Sequence, residues 1–346
     1  MKTLQKDLTT GNPGKIIFNF TLPIFIGNVF QQFYSMADTI IVGKFVGTKA
    51  LAAVGSTGTI MFLINGFILG MTAGFTVLTA QKFGAGDMKA MRKTVGNAAI
   101  LAIIMSLIMT VLGMMAMKPL LGIMKTPDDI FKDAYAYIMV ICGGIAAQML
   151  YNFLSSVLRA LGNSKVPLYF LILAALLNIV LDMVFIIAFH MGAAGAAWAT
   201  VLGQIASLAL AAVFHFRLNR ELLFRRKALR LRRSIVGEIY SIGVPAIIAQ
   251  GAMSVMNYCV NLIFGSLDSS YVTAYGIVYK IQQFVLFAAF GLRDAITPIV
   301  SFSYGMQNAK RIREGVRCGL MYTSVLEKDL EDGTHMVRQT QSIAIG

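Results

Sequence analysis

A chain of 346 residues that is 57% hydrophobic and 13% charged, with a mean hydropathy of +0.71, is excluded from the water-soluble globular class. Its net charge of +14 would suit nucleic acid only if the basic residues shared one water-exposed face, and instead they collect in alternate loops between apolar segments. The three cysteines, Cys142, Cys259 and Cys318, lie in or beside apolar segments without CxxC or histidine spacing and read as packing residues.

With ~20 apolar residues needed per helical span, the sequence predicts an all-α polytopic membrane protein. The polar start MKTLQKDLTTGNPGK runs into a full-length span, so no cleavable signal peptide is expected. Eight spans follow in order: Ile16–Val42, Leu51–Ala80, Gly96–Met117, Ala134–Leu158, Val166–Phe189, Ala193–Phe216, Ile235–Phe264 and Tyr271–Phe302. A ninth begins near Val316 and stops as a stub. After Leu326 the sequence turns polar, with four acids in Glu327–Asp332, and a truncated or frameshifted end is expected there, with a genuine soluble end as the alternative.

The basic residues set the topology. Lys2, Lys6 and Lys15 precede the first span, Lys82, Lys89, Arg92 and Lys93 follow the second, Arg159 and Lys165 the fourth, and Lys310, Arg311, Arg313 and Arg317 the eighth. The sixth loop, Arg217–Arg233, is the most basic of all, whereas the opposite side holds only Lys44, Lys49, Lys118, Lys125 and Lys132. The positive-inside rule then places the N-terminus on the cytoplasmic side, with bilayer lipid as the surrounding partner and no role for nucleic acid.

A repeat organises these spans. Superposing Pro23 on Pro245 pairs Ile26 with Ile248, Ile41 with Ile263 and Gly43 with Gly265. After a one-residue gap Ala53 meets Ala274, Gly55 meets Gly276, Gly70 meets Gly291 and Gly84 meets Gly305, and Lys89 and Arg92 fall on Lys310 and Arg313. Both copies begin on the same side, which makes this a parallel pseudo-repeat of six-helix lobes. The first lobe, 1–216, is complete. A basic linker occupies 217–234, a partial second lobe 235–326 and an atypical polar tail 327–346.

The candidate chemistry lies in the first lobe. Asn28, Gln31, Gln32, Ser35, Asp38 and Thr39 share one helical face of the first span. Asn178 and Asp182 are four apart in the fifth span, as are Thr200 and Gln204 in the sixth. A carboxylate inside an apolar span marks an ion pathway by default, and helical rise places Asp38 and Asp182 at similar depth. Two carboxylates in one dry pocket can share a proton and release it when the cavity opens to water. The same oxygens, with Asn178 and Thr200, can instead hold Na⁺; the sequence leaves H⁺ and Na⁺ both open, and no other cofactor is expected. Readings as a helix-end cap for Asp38 and as a structural hydrogen-bonded acid for Asp182 stand beside these. Lys280, near mid-depth in the eighth span, is a candidate cavity-lining residue or half of an ion pair, and the neighbours Arg293 and Asp294 are expected to pair or snorkel. Gly66, Gly70 and Gly74 are spaced for close helix contact.

The segments M-A-D-T-I-I-V-G at Met36–Gly43, L-R-A-L-G-N-S-K at Leu158–Lys165, N-I-V-L-D at Asn178–Asp182 and G-A-A-G-A-A-W-A-T at Gly192–Thr200 together resemble the multidrug and toxic compound extrusion (MATE) family over residues 10–326. The resemblance implies two six-helix lobes around a cleft, alternating access, and export of cationic amphipathic drugs in exchange for H⁺ or Na⁺. It also implies that Asp38, Asn178 and Asp182 line the ion-coupling site, with Gln31 and Thr200 at neighbouring positions. The chain departs from the family pattern where some members carry a seventh-span carboxylate: Glu238 sits at the start of that span, and Val260 occupies the repeat position of Asp38. The last three helices of the pattern are not in the sequence. The alternatives are a lipid-linked-oligosaccharide flippase of the same superfamily, which calls for a more basic cavity, and a non-transporting fragment. An intramembrane aspartyl protease fits poorly, because Asp182 lacks the G-x-G-D context, so no enzyme is expected. Without a G-x(4)-G-K-[ST] loop, ATP-driven transport by this chain has no support.

Overall fold

A computed structural model describes residues 13–124, 126–217, 230–267 and 289–324, and within these every regular element is helical. The order is α1 (Pro13–Phe45), α2 (Thr48–Ser56), α3 (Gly58–Gly84), α4 (Met88–Ile123), α5 (Asp128–Ala160), α6 (Lys165–Asp182, continued as a π-helical turn, Met183–Ala188), α7 (Gly192–Arg217) and α8 (Arg233–Leu267). Two more helices cover 289–305 (α9) and 309–324 (α10). Among the described residues, seven helices are long and apolar enough to cross a membrane. Most of the linker, the first part of the expected eighth span with Lys280, and the polar tail lie outside the described residues.

One expected span is corrected. Leu51–Ala80 is two helices, because Ser56 Oγ and Thr57 Oγ1 donate back to the carbonyls of Ala53 and Val54 at 2.7 Å. Such bonds compete with the helical ladder and stop α2 before α3 begins at Gly58. A second feature escaped the sequence reading: the ladder loosens immediately after Asp182 into the π turn, which ends near His190 and Gly192, both at positive φ (51° and 62°). Caps follow the repeat. Asp87 Oδ1 accepts from the Ala90 amide at 2.8 Å, and its repeat counterpart Asn308 accepts from the Arg311 amide at 3.0 Å.

Packing follows the small residues. The main core joins α2, α3, α4, α5 and α7, with Ile239 of α8 added to it. A second cluster sets Ile17, Phe20 and Ile24 of α1 against Leu292, Ala295 and Ile299 of α9. Beyond Pro23, α1 meets α6 as well as α9: a Cβ at Gly27 would sit 3.4 Å from Leu171. Leu107, Val111 and Met115 stay exposed along one face of α4, as a lipid-facing stripe does. Arg293 and Asp294 pair at 3.0 Å, as expected.

The repeat is also written in the helix contacts. A Cβ at Gly70 of α3 would meet Ile247 of α8, and one at Gly291 of α9 would meet Phe25 of α1. Gly70 and Gly291 are repeat partners, and so are Ile247 and Phe25. Each copy therefore lends its second long helix to the first helix of the other.

Where α5 meets α7, a Cβ at Gly144 would lie 2.5 Å from Cγ2 of Val201. Valine is stiff at χ1 and has little room to turn away. Gly144→Ala is expected to destabilise the fold by ~1–3 kcal/mol, read as a lower melting temperature of the purified chain in detergent.

Candidate functional site

Three helices bring the predicted carboxylates together. Asp38 stands well inside α1, which runs on to Phe45, so it is no helix-end cap. It is 9% exposed, while Asp182, at the last α-helical residue of α6, is fully buried, and Asn178 one turn earlier is buried as well. Asp38 and Asp182 lie within electrostatic reach of each other. Asn178 Nδ2 donates to Thr200 Oγ1 of α7 at 3.4 Å. This approach depends on glycine: a Cβ at Gly203 would lie 3.3 Å from the Ala174 carbonyl and 3.6 Å from Asn178 Cβ, and one at Gly195 would lie 3.2 Å from Phe185 in the π turn.

The hydrogen-bonding ledger of this cluster is incomplete. Among the described residues nothing donates to Asp38 Oδ1, to either oxygen of Asp182 or to Asn178 Oδ1. Buried polar atoms are normally paired, and an acid that served only to tie helices together would have its oxygens engaged. Four unengaged oxygens from two acids and an amide instead form a donor set suited to a proton or to a hard cation such as Na⁺. Among the described residues no group of three or more His, Cys, Asp or Glu gathers at metal-binding range.

Two tyrosines complete the cluster and were missed from sequence. Tyr34 hydrogen-bonds Gln31 through its side chain and lies within electrostatic reach of both Asp38 and Asp182, as does Tyr137 of α5. Tyr34 was legible, being one turn from Asp38 on the polar stripe. Tyr137 carries no local signal, since only the docking of α5 brings it in.

Of the other candidates, Gln31 reaches the cluster through its bond to Tyr34. Asn28 faces α9, where a Cβ at Gly291 would lie 3.6 Å from its Nδ2. Gln31 and Ser35 are exposed, and Gln32 and Gln204 are half-buried; Thr39 returns its hydroxyl to the Ser35 carbonyl at 2.8 Å. Lys280 lies outside the described residues. A separate amide pair, Gln148 Nε2 donating to Asn65 Oδ1 at 2.6 Å, joins α5 to α3.

Comparison with known proteins agrees with this architecture. The chain is 32% identical over 320 residues to the probable multidrug resistance protein YpnP of Bacillus subtilis, covering 88% of this chain and 68% of that one. It is 22% identical to a FAD transporter of Shewanella oneidensis, over 91% of this chain and 70% of the relative. It also superposes with a TM-score of 0.89 on an outward-facing multidrug resistance MATE family transporter of the MOP superfamily, at 24% identity, covering 95% of this chain and 73% of that one. The sequence model of the MatE family matches residues 23–184 and 245–327, two segments that start on Pro23 and Pro245, the prolines that the internal repeat superposes. The chain is a member of the MatE family of membrane transporters.

Proposed function

We propose that this protein is a cation-coupled antiporter that exports cationic amphipathic molecules, with Asp38 and Asp182 as the coupling carboxylates and Asn178 and Thr200 beside them. Membership of a transporter family makes it no enzyme. The carrying observation is the pair of buried acids in which Asp38 Oδ1 and both oxygens of Asp182 have no partner among the described residues. Such a pair is costly to keep in a membrane unless an ion visits it. H⁺ and Na⁺ both suit these donors. Resistance and export in the names of the relatives support a drug-like cargo, and two acids favour a cationic one; a lipid diphosphate would need cationic groups in their place.

In this reading the basic ends of the helices face the cytoplasm of a bacterial inner membrane. Residues 1–216 form one lobe, 217–234 link it, and 235–326 contribute to a second. The π turn after Asp182 fits the site, since such insertions re-aim a side chain without ending the helix.

The test is ethidium efflux from cells expressing this chain beside the same chain carrying Asp38→Asn. Efflux that is lost in the variant, with equal amounts of protein in the membrane, supports the coupling role. Equal efflux from both removes it, and efflux from neither at equal abundance means that this polypeptide does not run a transport cycle.

A further inference from the structure

The basic ends of α3 and α9 meet in a crossing that the repeat makes reciprocal. Gly84, the last residue of α3, sits where a Cβ would overlap the carbonyl oxygen of Phe302 and lie 2.8 Å from its carbonyl carbon. Gly305, the last residue of α9, sits where a Cβ would overlap the carbonyl oxygen of Gln81 and also lie 2.8 Å from the carbonyl carbon. Gly84 and Gly305 are repeat partners, and so are Gln81 and Phe302, so the crossing lies on the pseudo-twofold axis between the two copies. Neither glycine is at positive φ; room, not backbone freedom, is what the position demands.

Around this crossing the contacts between the copies include an aromatic pair, a half-exposed ion pair and a backbone hydrogen bond. Phe83 and Phe302 meet edge to face with centroids 5.3 Å apart. Lys82 and Glu238 pair at 3.4 Å with both side chains partly exposed, a type of pair worth little in water. The Arg232 amide donates to the buried Asn97 at 2.6 Å, tying the start of α8 to α4. Farther along α3, Gly74 and Gly70 pack close to the backbone of α8, though less closely than the two glycines of the crossing pack on each other's helices.

We propose that Gly84 and Gly305 form a reciprocal latch that closes the basic end of the cleft between the two copies, and that any side chain at either position holds that end apart. The obstacle to a side chain is backbone, which cannot turn aside as a flexible side chain would. The two helix ends must separate, while the α3–α8 seam above them can remain as the fulcrum. This deepens the proposed transport reading by naming the contact that shuts one side, and its test does not depend on transport.

The measurement is a spin-label distance between Lys89→Cys and Lys310→Cys. These are exposed repeat partners just beyond the crossing, labelled in the full chain with its three native cysteines replaced by alanine. Gly84→Ala and Gly305→Ala are each expected to move the distribution to longer distances, by roughly 5- to 150-fold in the ratio of separated to closed populations. Gly237→Ala, in α8 with nothing within 4 Å of the added carbon, is expected to leave it unchanged. An unchanged distance in both latch variants overturns the proposal. So does failure of both latch variants to fold while the Gly237 variant folds, since the crossing would then be required in every state and could not open. A lengthened distance together with absent ethidium efflux keeps the latch and counts against the transport reading alone.

Discussion

Asp182→Asn is expected to remove substrate-stimulated ion exchange in proteoliposomes while leaving the amount and monodispersity of the protein unchanged. Asparagine keeps the shape and depth of the side chain, and neither oxygen of Asp182 has a partner among the described residues to lose, so the packing of α6 on α1 and α7 has little reason to change. What disappears is the capacity to alternate between a charged and a neutral or ion-paired form. Coupling between two ligands is commonly worth ~1–3 kcal/mol, or roughly 5–150-fold, and the loss should fall in that range or be complete. Because Asp38 and Asp182 face one another electrostatically, they should act as a unit: Asp38→Asn with Asp182→Asn is expected to be no worse than either alone, the non-additivity that contacting groups show. Full multiplication of the two losses would mean two independent sites and would remove the shared pocket. Retained exchange in Asp182→Asn would leave the acid as a structural group.

The sequence carried the site further than it carried the helices around it. Asp38, Asn178, Asp182 and Thr200 were legible because a polar group in an apolar span must face something, and helical periodicity says which groups face it together. Tyr137 was not, because an aromatic residue in a membrane helix has many ordinary reasons to be there and α5 reaches the cluster only through tertiary packing. Asn28 has a neighbour that the stripe alone did not show. It shares the stripe of Asp38 and lies against Gly291 of α9. The break between α2 and α3 was hidden because Ser56 and Thr57 are individually tolerable in a helix, and the pair stops it only by turning both hydroxyls back on the ladder. The π turn had no sequence signal, since Met183–Ala188 reads as an uninterrupted apolar run. The repeat was the most reliable reading, because glycines at matched positions mark backbone contacts, and Gly70 with Gly291 and Gly84 with Gly305 all prove to be helix crossings.

Those crossings are not equally tight, and the difference has the second large consequence. A Cβ at Gly70 would meet Ile247 at 2.5 Å from Cγ1, 2.7 Å from the amide nitrogen and 2.9 Å from Cα, whereas one at its repeat partner Gly291 would meet nothing of Phe25 or Asn28 closer than 3.5 Å. At Gly70 two of the three obstacles are backbone, and α8 can yield only by moving away from α3 as a whole. Gly144, whose obstacle is a valine methyl, is the milder case. Gly70→Ala is therefore expected to destabilise the chain by on the order of 3 kcal/mol, the upper part of the range for overpacked cores. Gly291→Ala should be neutral or gain up to ~1 kcal/mol from the better helix propensity of alanine. Melting curves of the two purified variants in detergent provide the comparison. A large loss at Gly70 beside none at Gly291 places the rigid seam between the copies at α3 and α8 and leaves the α1–α9 contact free to adjust. Equal losses at the two positions would mean that both seams are equally rigid, and the motion proposed at the Gly84–Gly305 crossing would then need a different fulcrum.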